Sequence, residues 1–275
     1  MNLFNKLVRW ALIRVSEIWI PRGRRAVRHL RIHDFELLAL ANEDVGRLIS
    51  LFREYEPDET NYLNLNLKPE DICFDIGGNV GFFSMLMAKR ASGGMVHVFE
   101  PIALNAALIR TNAELNGFGN LVINNIAVGA QKDSVTFSIS IDSAYSSMHP
   151  TGRIAEEKSI VVPVETIDDY LAIHSIPRID IMKVDVEGAE ARVIEGAAKI
   201  LQDEACRPRI VLLELFDTNL VPFNTDVLEV VARMVSFGYS AKVLSGVGAK
   251  IVPFTPDMAN KFYNIIFVPR NVLPK

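Results

Sequence analysis

The chain has 275 residues, 49% of them hydrophobic and 23% charged, enough apolar material for a full core, which excludes a disordered polymer. A formal net charge of −4 argues against a nucleic-acid partner held chiefly by phosphate contacts across the whole surface and leaves room only for a local basic patch. Two cysteines, Cys73 in an apolar run and Cys206 in a loop-like stretch, fit neither a zinc site nor a secreted disulfide framework. No run reaches the roughly 18 uncharged apolar residues of a membrane span, and the N-terminus lacks a signal-peptide cleavage pattern, so the chain is expected in the cytoplasm.

Residues 1–69 read as an N-terminal appendage and residues 70–275 as the main domain. In the first 33 positions Lys6, Arg9, Arg14, Arg22, Arg24, Arg25, Arg28 and Arg31 face a lone acid, Glu17. Phe4, Leu7, Ala11, Val15 and Ile18 recur there at helical spacing. Two readings of this basic amphipathic segment stand side by side. Its apolar stripe packs on the domain or on a second subunit, which would make an oligomer. Alternatively, Trp10 and Trp19 anchor it at a membrane surface while the arginines meet anionic head groups. Residues 34–69 read as a helical lead-in, with turn signals at Pro57-Asp58 and Pro69.

From residue 70 short apolar runs alternate with helical segments, the pattern of a doubly wound α/β fold whose mostly parallel sheet is covered on both faces. ICFD (72–75) is a strand and VGFFSMLMAKR (80–90) the helix after it. MVHVFE (95–100) is the second strand, followed by a helix that ends at Gly117, and LVINN (121–125) is the third strand. SVTFSIS and SIVVPV then read as two antiparallel strands around the polar loop SAYSSMHPTGR. The alternation resumes with the strand IDIMKVD (179–185), one helix ARVIEGAAKILQD, and the strand RIVLLELF (209–216). Tyr239–Leu244 and Phe262–Val268 leave no room for a long helix between them and predict a closing antiparallel pair.

The turn after the first strand carries the first chemistry. A strand ending in an acid, then a glycine-rich turn, then a helix is where such sheets hold nucleotide-like ligands, because small residues let the backbone approach closely. The dinucleotide fingerprint G-x-G-x-x-G fails here, since counting from Gly77 puts Asn79 third and Phe82 sixth. Asp75 beside the turn would repel a pyrophosphate but attract a ligand bearing an ammonium and a sulfonium, such as S-adenosylmethionine. Glu100, closing the second strand, suits ribose hydroxyls in either kind of site. The bland alternative is a purely structural strand-to-helix turn.

FDIGGNVGFFS, VHVFEP, NNIAVG, VETIDDY, IMKVDVEGAEARVIEGA and IVLLEL, in this order over residues 70–216, resemble the FkbM family of S-adenosylmethionine-dependent methyltransferases. The family more often has alanine where this chain has Gly78. The resemblance implies a Rossmann-like class I methyltransferase fold with seven strands in the order 3-2-1-4-5-7-6, the last antiparallel. By motif, Asp75, Gly77, Asn79 and Gly81, with Gly78 in the same loop, would cradle the methionine part, Glu100 the ribose, and Asn125, Ile126 and Ala127 the adenine.

A second acidic cluster, KVDVEGAE (183–190), puts Lys183, Asp185 and Glu187 at the carboxyl end of the fourth strand, where an open parallel sheet receives its ligands. Methyl transfer to an oxygen needs the attacking hydroxyl aligned and its proton removed. The resemblance gives that carboxylate to Asp185, which would also touch the cofactor. Glu187 either shares the task or caps the helix that begins near Gly188. His149 in the polar loop is another candidate base, against a solvated loop histidine, while His97 inside a strand reads as a core residue. A divalent cation on Asp185, Glu187 and Glu214 is conceivable but not favoured, because no histidine joins them. The expected function is O-methylation of a sugar, glycan or polyketide-like acceptor, with specificity set by the loops 145–153 and 217–224. An NAD-dependent oxidoreductase and a non-catalytic S-adenosylmethionine-binding module are the rivals.

Overall fold

The computed structural model describes residues 27–41, 43–140, 156–245 and 250–270. Trp10, Trp19 and the loop that carries Tyr145, His149 and Arg153 lie outside the described residues. In chain order, β1 (Val27–Ile32) and β2 (Phe35–Leu40) form a hairpin, followed by α1 (Asp44–Phe52) and α2 (Pro57–Asn66). Next come β3 (Ile72–Ile76), α3 (Phe82–Arg90), β4 (Met95–Phe99), α4 (Ala103–Asn116), β5 (Leu121–Asn124) and β6 (Ala127–Val128). They are followed by β7 (Asp133–Ser140), β8 (Glu156–Glu165), α5 (Ile167–Ile173), β9 (Ile181–Val184), α6 (Glu190–Gly196) and α7 (Ala198–Gln202). The chain closes with β10 (Ile210–Glu214), α8 (Asp217–Leu220), α9 (Val227–Ser236), β11 (Tyr239–Ser245), β12 (Lys250–Pro253) and β13 (Asn264–Pro269).

The large sheet is ordered β12-β11-β13-β10-β9-β3-β4-β5. β10, β9, β3, β4 and β5 run parallel, while β13 is antiparallel to both β10 and β11. Successive residues of a strand point to opposite faces, and here both faces are buried. Cys73, Val96, Ile181 and Leu212 face one core, and Phe74, Met182, Val211 and Leu213 face the other. Each such side chain contributes about 1.5–3 kcal/mol when fully buried. That dual burial is why these strands read as continuous apolar runs.

Three features differ from the reading above. The sheet has an eighth strand, β12, which pairs with β11 at the edge and takes up the interval where a bare closing pair was expected. The segment ARVIEGAAKILQD is two helices, interrupted at Ala197. Gly196 lies against the backbone of Gly129, 2.0 Å from where a Cβ would sit, and this contact fixes the break. The lead-in begins as a β-hairpin, with Arg28 and Arg31 on a strand. The hairpin is held by amide side chains of α4. Leu38 N–H donates to Asn112 Oδ1 at 2.7 Å, and Asn112 Nδ2 donates back to Leu38 O at 3.1 Å. Asn116 repeats the exchange with Glu36, at 2.7 Å both ways. Two asparagines four residues apart share a helix face, so they offer the edge of β2 the partners that a strand would.

The smaller sheet β6-β8-β7 is built around the antiparallel pair β7 and β8, which the sequence predicted. Among the described residues, no helix is long and apolar enough to cross a membrane.

Candidate active site

At the carboxyl end of β3 the chain turns through Gly77, whose φ of +87° favours glycine. A Cβ there would lie 1.8 Å from the carbonyl oxygen of Asp185, and one on Gly78 would lie 2.5 Å from Val98 Cγ1. The turn is therefore pressed against the ends of β9 and β4, and its backbone faces the crevice. Asn79, left-handed at φ 49°, donates its N–H to Glu100 Oε2 at 2.9 Å, while Ile102 N–H donates to Oε1 at 2.8 Å. Glu100 thus joins the two turns that flank the crevice. Burial pushes its carboxyl up to about 8, although the two backbone N–H groups pull the other way. The Oδ1 of Asn79 is buried without a hydrogen-bond partner among the described residues.

This crevice opens into a cleft. Its wall includes five acids, Asp44, Glu100, Asp185, Glu187 and Glu214, and no Lys, Arg or His among the described residues. Gly77, Gly78, Asn79, Ile126 and Ala127 line it together with these acids.

Beneath the wall sits Lys183, 3% exposed, whose Nζ donates to Asp185 Oδ2 at 2.9 Å and lies 4.7 Å from the Phe83 ring centroid. Burial alone would lower its pKa, but Asp185, Glu56, Asp75 and Glu214 hold it above the ordinary lysine value. The register sets Glu214 beside Asp185, since Leu213 pairs with Val184. Burial, then the negative charges of Asp185 and Glu56, keep the Glu214 carboxyl well above its usual range. One buried ammonium among several carboxylates leaves protons on part of the cluster, because like charges in a poorly hydrated site cannot all ionise.

Asp75, Gly81 and Asn125 sit outside the wall. Asp75 is 1% exposed, accepts a short hydrogen bond from Ser84 Oγ, and pairs in register with Lys183. Its carboxyl is raised, first by burial. Gly81 precedes α3 at φ +88°, against Ile109. Asn125 ties the loop by donating to the carbonyls of Glu100 and Pro101, at 2.8 and 2.9 Å. Glu187 does not cap the following helix. It is left-handed at φ 55° and accepts from Asn219 Nδ2 at 2.6 Å. Glu190 accepts the N–H groups of Val186 and Gly188 instead, each at 3.2 Å, with its carboxyl pushed up to about 7 by burial. In the 217–224 segment, Asn219 braces Glu187 and Asp217 accepts from Val227 N–H at 2.9 Å. His97 is a core residue, its Nδ1 3.0 Å from the Tyr170 hydroxyl and its pKa lowered to about 4 by burial. No group of three or more His, Cys, Asp or Glu among the described residues is arranged to hold a metal.

The sequence reading missed the contribution of the lead-in. Asp44, Val45, Leu48 and Tyr55 complete the wall. Tyr55 is fixed by edge contacts to Phe82 at 5.6 Å and by a tilted contact to Phe83 at 5.9 Å. The signal available was an aromatic residue and Glu56 just before the Pro57-Asp58 turn.

The family model described as Methyltransferase FkbM domain matches residues 75–241. The 31-O-demethyl-FK506 methyltransferase FkbM of Streptomyces tacrolimicus is 27% identical over 66% of this chain and 79% of its own length. The hexuronic acid methyltransferase AglP of Haloferax volcanii is 23% identical over 58% of this chain and 63% of its own. A crystal structure of a methyltransferase FkbM from Methylobacillus flagellatus aligns at TM-score 0.48 and 14% identity, covering 74% of this chain and 44% of that one. The chain thus spans less than two thirds of the archaeal relative and of the crystallised protein. With the family model covering more than half of its length, this chain belongs to the FkbM methyltransferase family.

Proposed function

We propose that the protein is an S-adenosylmethionine-dependent O-methyltransferase acting on a hydroxyl of a sugar, glycan or polyketide-like acceptor. The observation that carries this reading is the cleft wall, with five acidic side chains and no basic one among its described residues. A pyrophosphate finds no cation among the described lining residues, whereas a ligand with a sulfonium and an ammonium is attracted. The glycines at 77 and 78 let the turn pack directly on the ends of β9 and β4, since a Cβ there would meet Asp185 O or Val98 Cγ1, and this keeps the turn's backbone at the cleft wall. The names of the two relatives, one a demethyl-FK506 and the other a hexuronic acid methyltransferase, support a hydroxyl-bearing acceptor.

Gly77, Gly78, Asn79 and Glu100 would hold the cofactor on one side, with Ile126 and Ala127 on the other. When bound, S-adenosylmethionine supplies an electrophilic methyl group. Asp185 is the carboxylate placed to orient an acceptor hydroxyl and accept its proton. Lys183 fixes the Asp185 oxygen at 2.9 Å and stabilises its charge. Asn219 fixes Glu187.

Thermal unfolding with S-adenosylhomocysteine and with NAD tests the assignment. A ligand at one hundred times its Kd stabilises by about 2.7 kcal/mol, so S-adenosylhomocysteine raises Tm and NAD leaves it unchanged. A shift with NAD alone would reject the reading. Release of S-adenosylhomocysteine in the presence of acceptor separates an enzyme from a binding module.

A further inference from the structure

Val184 of β9 pairs in register with Leu213 of β10, so the next residues, Asp185 and Glu214, stand side by side at the two strand ends. Neighbouring strands lie about 4.7–4.9 Å apart, and the two carboxyl groups are in hydrogen-bond contact. A carboxylate only accepts hydrogen bonds, so two carboxyl groups bond to each other only when a proton stands between them. Their other neighbours decide which residue carries it. Asp185 Oδ2 accepts from the buried Lys183 ammonium at 2.9 Å, and a carboxyl beside a cation is held ionised. Glu214 instead faces Asp185 and Glu187 from the end of β9 and Glu56 from the turn between α1 and α2. The neutral Asn264 stands opposite it on β13, and the Tyr55 hydroxyl, kept protonated by burial and these same acids, is also near. Burial first, then those negative charges, keep the proton on Glu214.

Resting on the methyltransferase reading above, we propose that Glu214 is a neutral acid whose O–H donates to Asp185, and that it is a positioning residue which, with Lys183, fixes the Asp185 carboxylate at the cleft. An O–H donating to a carboxylate forms a charge-assisted bond, roughly twice as strong as one between neutral groups. Lys183 therefore anchors Asp185 from its own strand and Glu214 anchors it from the next, while both acids line the cleft. A neutral acid cannot take the proton of an acceptor hydroxyl, so Glu214 orients the base and does not replace it. The two carboxyl groups then titrate as a pair, and their protons belong to the pair rather than to either residue alone. Glutamine has the shape of the neutral acid and donates an N–H in place of its O–H, whereas leucine donates nothing.

Infrared difference spectroscopy of the full chain in D2O at neutral pH tests this. It needs neither cofactor nor acceptor, so failure to bind S-adenosylhomocysteine rejects the methyltransferase reading and leaves the infrared result standing. The difference between wild type and Glu214→Gln should contain the C=O stretch of a protonated carboxyl, lost in the variant. Asp185→Asn identifies the Asp185 carboxylate band, which should stay in place in Glu214→Gln and shift in Glu214→Leu. A difference spectrum with carboxylate bands alone overturns the proposal, as does an Asp185 band that moves equally in both Glu214 variants or in neither. Loss of the protonated band on adding magnesium also overturns it, because Glu214 would then be a cation ligand. If the variants do not fold, neutron diffraction from wild-type crystals decides. A deuteron on Glu214, between the two carboxyl groups, supports the assignment, and one on Asp185 or none between them overturns it.

Discussion

The two groups of acids around the cleft have the same chemistry and different work. Glu100 and Asp75, on the glycine-turn side, are occupied by the protein. Glu100 takes two backbone N–H groups and Asp75 takes the Ser84 hydroxyl. Asp185 and Glu214, at the ends of β9 and β10, surround one buried ammonium and face the cleft. A carboxylate whose oxygens are bonded to backbone shapes a turn, whereas one whose neighbours are other carboxylates is poised to exchange protons. The difference lies in partners, not in residue type.

Asp185→Asn gives the sharpest test of that contrast. It removes the proton acceptor and keeps the shape, so turnover should fall on the order of 10² to 10⁴, with S-adenosylhomocysteine affinity within a few fold. Stopped assays of S-adenosylhomocysteine release measure it, and near-normal turnover would mean that alignment alone drives transfer.

Glu100→Gln should show the opposite signature. One of the N–H groups of Asn79 and Ile102 then meets an amide NH₂, and a buried donor left unmade costs about 1–3 kcal/mol. Chemical denaturation should record that loss, with weaker cofactor binding and little change in kcat at saturating cofactor. A drop in kcat alone would dissolve the contrast.

The pH dependence is smaller. The folded-state values of Glu56 and Glu100, about 8, and of Glu190, about 7, stand above the ordinary 4.5. These groups bind protons more tightly when folded, so their contribution to stability is fully present below about 4.5 and is lost as pH rises through 7 to 8. S-adenosylmethionine, a cation, should bind a few fold more tightly over the same rise, because it favours ionised carboxylates. Glu100→Gln should flatten both curves. Affinity that weakens as pH rises would reject the electrostatic account.

Glu187→Gln should do least. The amide oxygen can still accept from Asn219, so stability should stay within about 0.5 kcal/mol, the range for substitutions that spare such features. Turnover should fall only a few fold. A loss matching that of Asp185→Asn would move the base to Glu187.

Much of this was legible because its causes are local. The alternation from residue 70, the glycine turn after ICFD, and the acids ending the fourth and fifth strands follow from side-chain period, backbone sterics and strand polarity, which act over a few residues. Partners are another matter. That Asp75 is tied to Ser84, that Asn125 holds a loop, and that Glu190 rather than Glu187 serves the helix start depend on side chains meeting after the turns close. The hairpin was read as helix because its pairing edge is satisfied by Asn112 and Asn116 of a helix distant in sequence. Tyr55 entered the cleft by the same kind of event. The sequence by itself determined the sheet and the kind of charge at its carboxyl edge, since both rest on short-range pattern. Only the tertiary structure decided which carboxylates face the ligand and which residues of the lead-in close over it, because burial and hydrogen bonding are settled between segments far apart in the chain.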